Sequence, residues 1–384
     1  MVGPPLTTGS EAVGAESMIR GMARLQAEEF ERTSASTGGG PPDPFAPEWR
    51  RRYLTEVQPE ALRLLAATEG PRFRRQLLAP VAYTLKGRRN LFRSVLSLAA
   101  GDAAGAAPEG NASAVAGELA WTCALVIDDL VDGSAEREGH VAAHVVFGPA
   151  RTAAGALAAL AVLLWYGARR ADIAVAARLR MIGYGLRLLR ACAMTQVPSG
   201  ARRTLEGYSR YARDVNCSTH WAISAPFVAR AQHDVCASLQ QWGDAISLNG
   251  KIRNDLHDYC GGSSECDTPF KDFHTRTVSF PVLLLLASPL AGEERRFVER
   301  HFLSDDPSDL ALETLLDLFW RTGTLVRCID HIRSNADVAR AAALAVSARC
   351  DCAGTLVSLM ETWNTHIVVV AEDRVQAARE RDRR

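Results

Sequence analysis

Two clusters of aspartates stand on apolar, helix-compatible backgrounds: Asp128-Asp129-Leu130-Val131-Asp132 and Asn254-Asp255-Leu256-His257-Asp258. Carboxylates gathered at helical spacing repel one another, so the fold must bring each cluster to a place where an opposing charge offsets it. The first cluster closes a stretch, Val115 to Ile127, whose only charged residue is Glu118 and whose residues mostly favour helix. Asp128 and Asp132 are four apart and share one helical face, and Asp129 lies beside them. The second cluster repeats the spacing in Asn254 and Asp258, with Asp255 three residues before Asp258, after a helix-compatible run from Gln240 to Ile252. Two such faces set across a cleft suit a hard divalent cation such as Mg²⁺, which takes oxygen ligands and bridges carboxylates to substrate phosphates. With Arg137, Lys271 and Arg276 nearby in sequence, a diphosphate is the natural third party.

The rest of the chain narrows the class. Helical periodicities from Trp49 onward are separated by short breaks such as Glu69-Gly70-Pro71 and Val197-Pro198-Ser199-Gly200, and no strand alternation or fixed repeat is evident. An all-α fold follows. Residues 1–47 are rich in Gly, Pro, Ser and Thr and read as a largely disordered extension, leaving 48–384 as a single helical domain. The formal net charge is zero with both signs interspersed, which argues against a nucleic-acid footprint. The longest apolar run, Ala153 to Ala168, falls short of a membrane span and reads as a buried core helix. Nine cysteines show no zinc-ligand spacing, and no signal peptide is evident, so reduced thiols in a cytoplasmic protein are expected.

At these residues the sequence resembles the trans-isoprenyl diphosphate synthase (polyprenyl synthetase) family, whose paired aspartate-rich motifs correspond to Asp128-Asp129-x-x-Asp132 and Asn254-Asp255-x-x-Asp258. Arg137-Glu138-Gly139 stands where the family has Arg-Arg-Gly, and Gly87-Arg88-Arg89-Asn90 where it has Gly-Lys-x-x-Arg. The segment Lys271 to Pro281 looks like its Asp…Gly-Lys-x-Thr-x-Pro. The resemblance implies a class I isoprenoid-synthase helical bundle, with the active site in the bundle core, working as a homodimer. It also implies catalysis by Asp128, Asp129, Asp132, Asp255 and Asp258, which together with Asn254 would hold Mg²⁺, three ions in all. An allylic prenyl diphosphate would be bound by Arg137, Arg276, Lys271, Arg88, Arg89 and Thr219, with Cys123 and Ala124 along its tail, Trp121 as a deeper floor and Trp221 facing a carbocation.

The departures from the family pattern bear on the reaction. Members that elongate chains hold isopentenyl diphosphate with a basic pocket, and the corresponding positions here are Arg88, Leu91 and Glu138. A carboxylate in place of a guanidinium beside a polyanion inverts an interaction of roughly 4 kcal/mol at an effective dielectric near 20. The expected activity is therefore a class I terpene synthase acting on a C15 to C20 allylic diphosphate by cyclisation or elimination. Head-to-tail elongation, with the second diphosphate held by Arg88, Arg89 and Arg93, is the alternative, and a non-catalytic regulatory subunit of a prenyl synthase is a third reading.

Overall fold

A computed structural model describes residues 47–382 except 67–71, 89, 138, 196–203, 217, 261–269 and 305–310. The proposed extension therefore lies outside the described residues, save Pro47, which opens a helix. That helix, α1 (Pro47–Arg52), runs through a π-helical turn into α2 (Gln58–Ala66) and is followed by α3 (Arg72–Lys86), α4 (Phe92–Ala103) and α5 (Ala107–Asp132). After a two-residue ribbon, β1 (Glu136–Arg137) and β2 (His140–Val141), come α6 (Ala143–Phe147), α7 (Pro149–Arg169), α8 (Val175–Thr195), α9 (Leu205–Val215), α10 (Ser218–Ala229) and α11 (His233–Cys260). The chain ends in α12 (Lys271–His274), α13 (Phe280–Leu286), α14 (Gly292–Leu303), α15 (Leu312–Arg321), α16 (Thr324–Ser347) and α17 (Gly354–Asp382). The all-α expectation holds. The ribbon pairs Glu136 with Val141 and Arg137 with His140, and strands of two residues are too short to show alternation in sequence.

The motif helices are α5 and α11. Helix α5 packs against α4, α7 and α10, helix α11 against α16, α17 and α10, and so α10 touches both. Between α4 and α5 the backbones approach so closely that a Cβ on Gly101 would stand 2.7 Å from the Cα of Gly110, which only glycine tolerates. Gly133, left-handed at φ 65°, stops α5 directly after Asp132, so the first acidic cluster occupies the last turns of its helix. The second occupies the last turns of α11, which ends at Cys260. Carboxylates there face the negative end of the helix dipole, which deepens their need for cations.

Helix α7 spans more than the apolar run suggested. Its 21 residues are long and apolar enough to cross a membrane, and half of its most apolar stretch is buried in the bundle. The rest of that helix and α8 turn Leu157, Trp165, Val175, Leu179 and Leu186 outward.

Candidate active site

The first cluster opens at the rim of the bundle. Asp128 and Asp132 are exposed, whereas Asp129 is buried. The ribbon after Gly133 turns Arg137 back over them: its Nε donates to Asp129 Oδ1 at 2.7 Å and its Nη2 to Asp128 Oδ2 at 3.1 Å. Asp128 opens to solvent at its tip but sits in a recess, and poor solvation there, with the charge of Asp132 added, raises its pKa. Burial raises that of Asp129 as well, against the pull of Arg137. From the opposite side of the cleft Lys271 reaches Asp132, so an ion pair of the protein itself already joins the two motif regions.

The second cluster is built differently. Asp255 is 1% exposed, and both oxygens are engaged: Lys251 Nζ binds Oδ1 at 2.6 Å, while Tyr208 Oη and the Phe280 backbone N–H donate to Oδ2 at 2.6 and 2.8 Å. Burial works against the Lys251 charge, but Asp255 outweighs it and lifts the ammonium pKa above its ordinary value. Asp258 accepts the Lys271 and Asp272 backbone N–H groups, both at 2.8 Å, and so caps α12 and aims Lys271 at Asp132. Burial, and next the charge of Asp255, push Asp272 up to about 8. Asn254 alone of this cluster is exposed, with Oδ1 accepting from Arg253 at 3.1 Å. Asp255 and Asp258, expected beside Asn254 as metal ligands, meet protein groups in this structure, because α11 is wrapped by α9, α12 and α13 on that side.

The substrate-binding expectations divide in the same way. Arg276 is exposed beyond α12 at φ 54°, a left-handed conformation that costs an L-residue about 1 kcal/mol. Arg88, by contrast, is spent. Its Nε meets Glu118 Oε1 at 3.0 Å with both side chains nearly sealed from water, Ser94 Oγ donates to the other oxygen at 2.8 Å, and Arg88 Nη2 donates to the Asn90 carbonyl. A lone charge in an apolar helix requires such a partner. The recess between Arg88, Arg137, Tyr83 and His140 measures about 20 Å³, room for about one water. Thr219 is buried, Cys123 lies within the packed core, and Arg89 and the Trp221 side chain fall outside the described residues. From Ala112 to Val126 only Trp121 and Ala124 are not buried, and both pack partly against the core.

Sequence reasoning did not connect Lys251, Tyr208 or Asp272 with Asp255 and Asp258; a signal for the first was its position four residues before Asp255. Among the described residues no group of three His, Cys, Asp or Glu side chains is gathered closely enough to hold a metal. The exposed oxygens of Asp128, Asp132 and Asn254 are nevertheless a hard donor set suited to a divalent ion. A concavity of about 460 Å³ over Arg213, Gln241, Asp244 and Asn335 is an open surface depression that includes neither motif.

The polyprenyl synthetase family model matches residues 74–317, a span that contains both motifs, the ribbon and α12. The chain belongs to this family. Structures of family proteins share the fold at low identity. A polyprenyl synthase from Caulobacter crescentus, complexed with calcium and isoprenyl diphosphate, superposes with TM-score 0.69 at 20% identity over 86% of this chain and 99% of that one. A decaprenyl diphosphate synthase from Rhodobacter capsulatus gives 0.69 at 21%, over 84% and 98%. A geranylgeranyl pyrophosphate synthase from Corynebacterium glutamicum, complexed with isoprenyl diphosphate and magnesium, gives 0.64 at 15%, over 81% and 96%. No curated protein matches the sequence.

Proposed function

We propose that this family member ionises a C15 to C20 allylic prenyl diphosphate and resolves the carbocation internally, by cyclisation or proton loss. The observation that carries this reading is the burial of Arg88 against Glu118 beside a recess of about 20 Å³, since a second diphosphate needs both a free cation and room. Asp128 and Asp132 on α5 and Asn254 on α11 would hold the Mg²⁺ ions, three in number, which supply Lewis-acid charge to the departing diphosphate. Arg137, Lys271 and Arg276 add cationic donors around it, so that when the C–O bond breaks its electron pair leaves with an anion that is already neutralised. Asp258 positions Lys271, and Asp255 fixes Lys251 and Tyr208 behind the site. The structural likeness to elongating synthases supports the second reading, chain elongation with isopentenyl diphosphate.

One incubation separates the two. Pure protein with Mg²⁺ and geranylgeranyl or farnesyl diphosphate, with and without isopentenyl diphosphate, should yield hydrocarbon and free diphosphate in both arms. A longer prenyl diphosphate formed only when isopentenyl diphosphate is added would overturn the proposal in favour of elongation. The outward apolar residues of α7 and α8, Leu157, Trp165, Leu179 and Leu186, fit a homodimer interface, and light scattering would read twice the chain mass.

A further inference from the structure

Glu118, Asp255 and Asp132 each carry a cation of the protein, and water reaches the three pairs to different extents. The side chains of Arg88 and Glu118 are 3% and 2% exposed, so that pair is sealed. Lys251 is 24% exposed, but its partner Asp255 only 1%. Lys271 and Asp132 are 31% and 33% exposed, so this pair alone of the three is open to water at both ends. It also crosses the cleft: Asp132 ends α5, whereas Lys271 opens α12, beyond the second motif helix.

The backbones at both ends of this bridge are fixed, while the bridge itself is not. Asp258 accepts the Lys271 and Asp272 N–H groups at 2.8 Å each. The Phe273 ring stacks on His301 with centroids 4.5 Å apart, and His301 Nε2 lies 3.1 Å from the Phe273 carbonyl oxygen, which ties α12 to α14. On the other side Gly133 is left-handed and the Ser134 N–H donates to the Asp129 carbonyl at 3.0 Å. Between these anchors runs a flexible four-carbon stem, whose Nζ also lies 3.4 Å from Ser134 Oγ. An ammonium–carboxylate pair open to water is held weakly. A divalent ion on the same carboxylate competes with twice the charge and repels the ammonium.

We propose that Lys271 is an exchangeable counter-ion of the cleft: it neutralises Asp132 while the cleft is empty, yields that carboxylate to Mg²⁺, and turns its ammonium to the diphosphate. The inference rests on the proposed diphosphate site at the acids and adds an order of filling to it. In the empty protein the ammonium keeps Asp132 from standing uncompensated at the negative end of α5. A lysine seated on Asp132 competes with the metal, whereas a lysine released from it attracts the anion. Filling by metal thus prepares the cleft for diphosphate, and by linkage each ligand favours the other through this one side chain.

Titration calorimetry tests the exchange whichever reaction the enzyme performs. The wild type, Lys271→Met, Asp132→Asn and the double variant are each titrated with Mg²⁺ alone, with inorganic pyrophosphate alone, and with pyrophosphate at saturating Mg²⁺. Lys271→Met should bind Mg²⁺ alone about fivefold more tightly than the wild type, the size of a weak ion pair removed. The same variant should bind pyrophosphate with Mg²⁺ about tenfold more weakly, having lost a charge-assisted donor. A lysine with only a structural role would not move the two affinities in opposite directions. Asp132→Asn, which sets the ammonium free, should bind pyrophosphate alone about fivefold more tightly, and the gain should vanish once Lys271→Met is added. Lys271→Gln takes the place of Lys271→Met should the methionine chain fail to fold. A gain that survives in the double variant comes from the lost carboxylate charge and would overturn the exchange, as would a Lys271→Met chain that binds Mg²⁺ no more tightly than the wild type. Absence of any Mg²⁺-dependent binding of pyrophosphate by the wild type would instead overturn the diphosphate site on which the inference rests.

Discussion

The two acidic clusters share a spacing and a position at a helix end, yet they differ in what surrounds them. Helix α5 carries Asp128 and Asp132 out to the rim, where Arg137 and Lys271, long side chains from flanking segments, meet them in partial contact with water. Helix α11 ends inside a collar made by Tyr208, Phe280 and the first residues of α12, where Asp255 and Asp258 accept hydrogen bonds. A carboxylate whose partners can swing away can exchange them for a metal and a diphosphate. One held by backbone N–H groups, a tyrosine hydroxyl and a half-buried ammonium must first give up those contacts. Under the proposed function the repeated motif separates into a chemical half at the rim and a structural half at the collar.

The sharpest way to break this comparison is to remove the open acids. Asp128→Ala and Asp132→Ala should each cost about a thousandfold in kcat/KM, roughly 4 kcal/mol, with the melting temperature close to wild type. Steady-state kinetics beside thermal unfolding would read both, and near-normal turnover would remove the metal role of the rim. Asp255→Ala should do the reverse of a ligand mutation. It leaves the half-buried Lys251 ammonium without its carboxylate and the buried Tyr208 hydroxyl without an acceptor, so unfolding by urea should show a loss of about 2 kcal/mol, and Lys251→Met in the same chain should recover part of it. An Asp255→Ala protein as stable as wild type, but inactive, would return Asp255 to the chemical half.

Asp258→Ala should cost about 1 kcal/mol through loss of the α12 cap, and Mg²⁺–pyrophosphate should bind several-fold more weakly because Lys271 is no longer aimed. Titration calorimetry checks the second effect. The smallest change concerns Asp272. With its pKa raised to about 8, the folded chain keeps a proton there from about pH 4 to 8 that the unfolded chain has released. Stability contributed by this proton is therefore lost as pH rises through that window. Asp272→Asn should flatten the decline in melting temperature between pH 6 and 8.5, and an unchanged slope would assign the decline to other groups.

Much of the site could be read in the sequence because helical spacing is local. The i, i+4 relation of Asp128 and Asp132 and the basic residues downstream pointed to charges that meet in the structure as the Arg137–Asp128 and Lys271–Asp132 pairs. The partner of Arg88 was not legible, although Glu118 as the lone charge in an apolar helix announced that some partner must come. Neither was the stacking of Arg93 on Trp121, which joins residues from two helices and gains Asn216 from a third segment.

The sequence by itself determined the helices, their ends at Gly133 and Cys260, and the set of oxygens and cations available to the site, because periodicity, turn chemistry and ionisable groups are properties of short stretches. Tertiary structure alone decided which oxygens remain free and which cations are already bound. Desolvation and pairing depend on what packs against a side chain from distant parts of the chain. The same carboxylate is a ligand at an open helix end and a structural acceptor inside a collar of N–H groups.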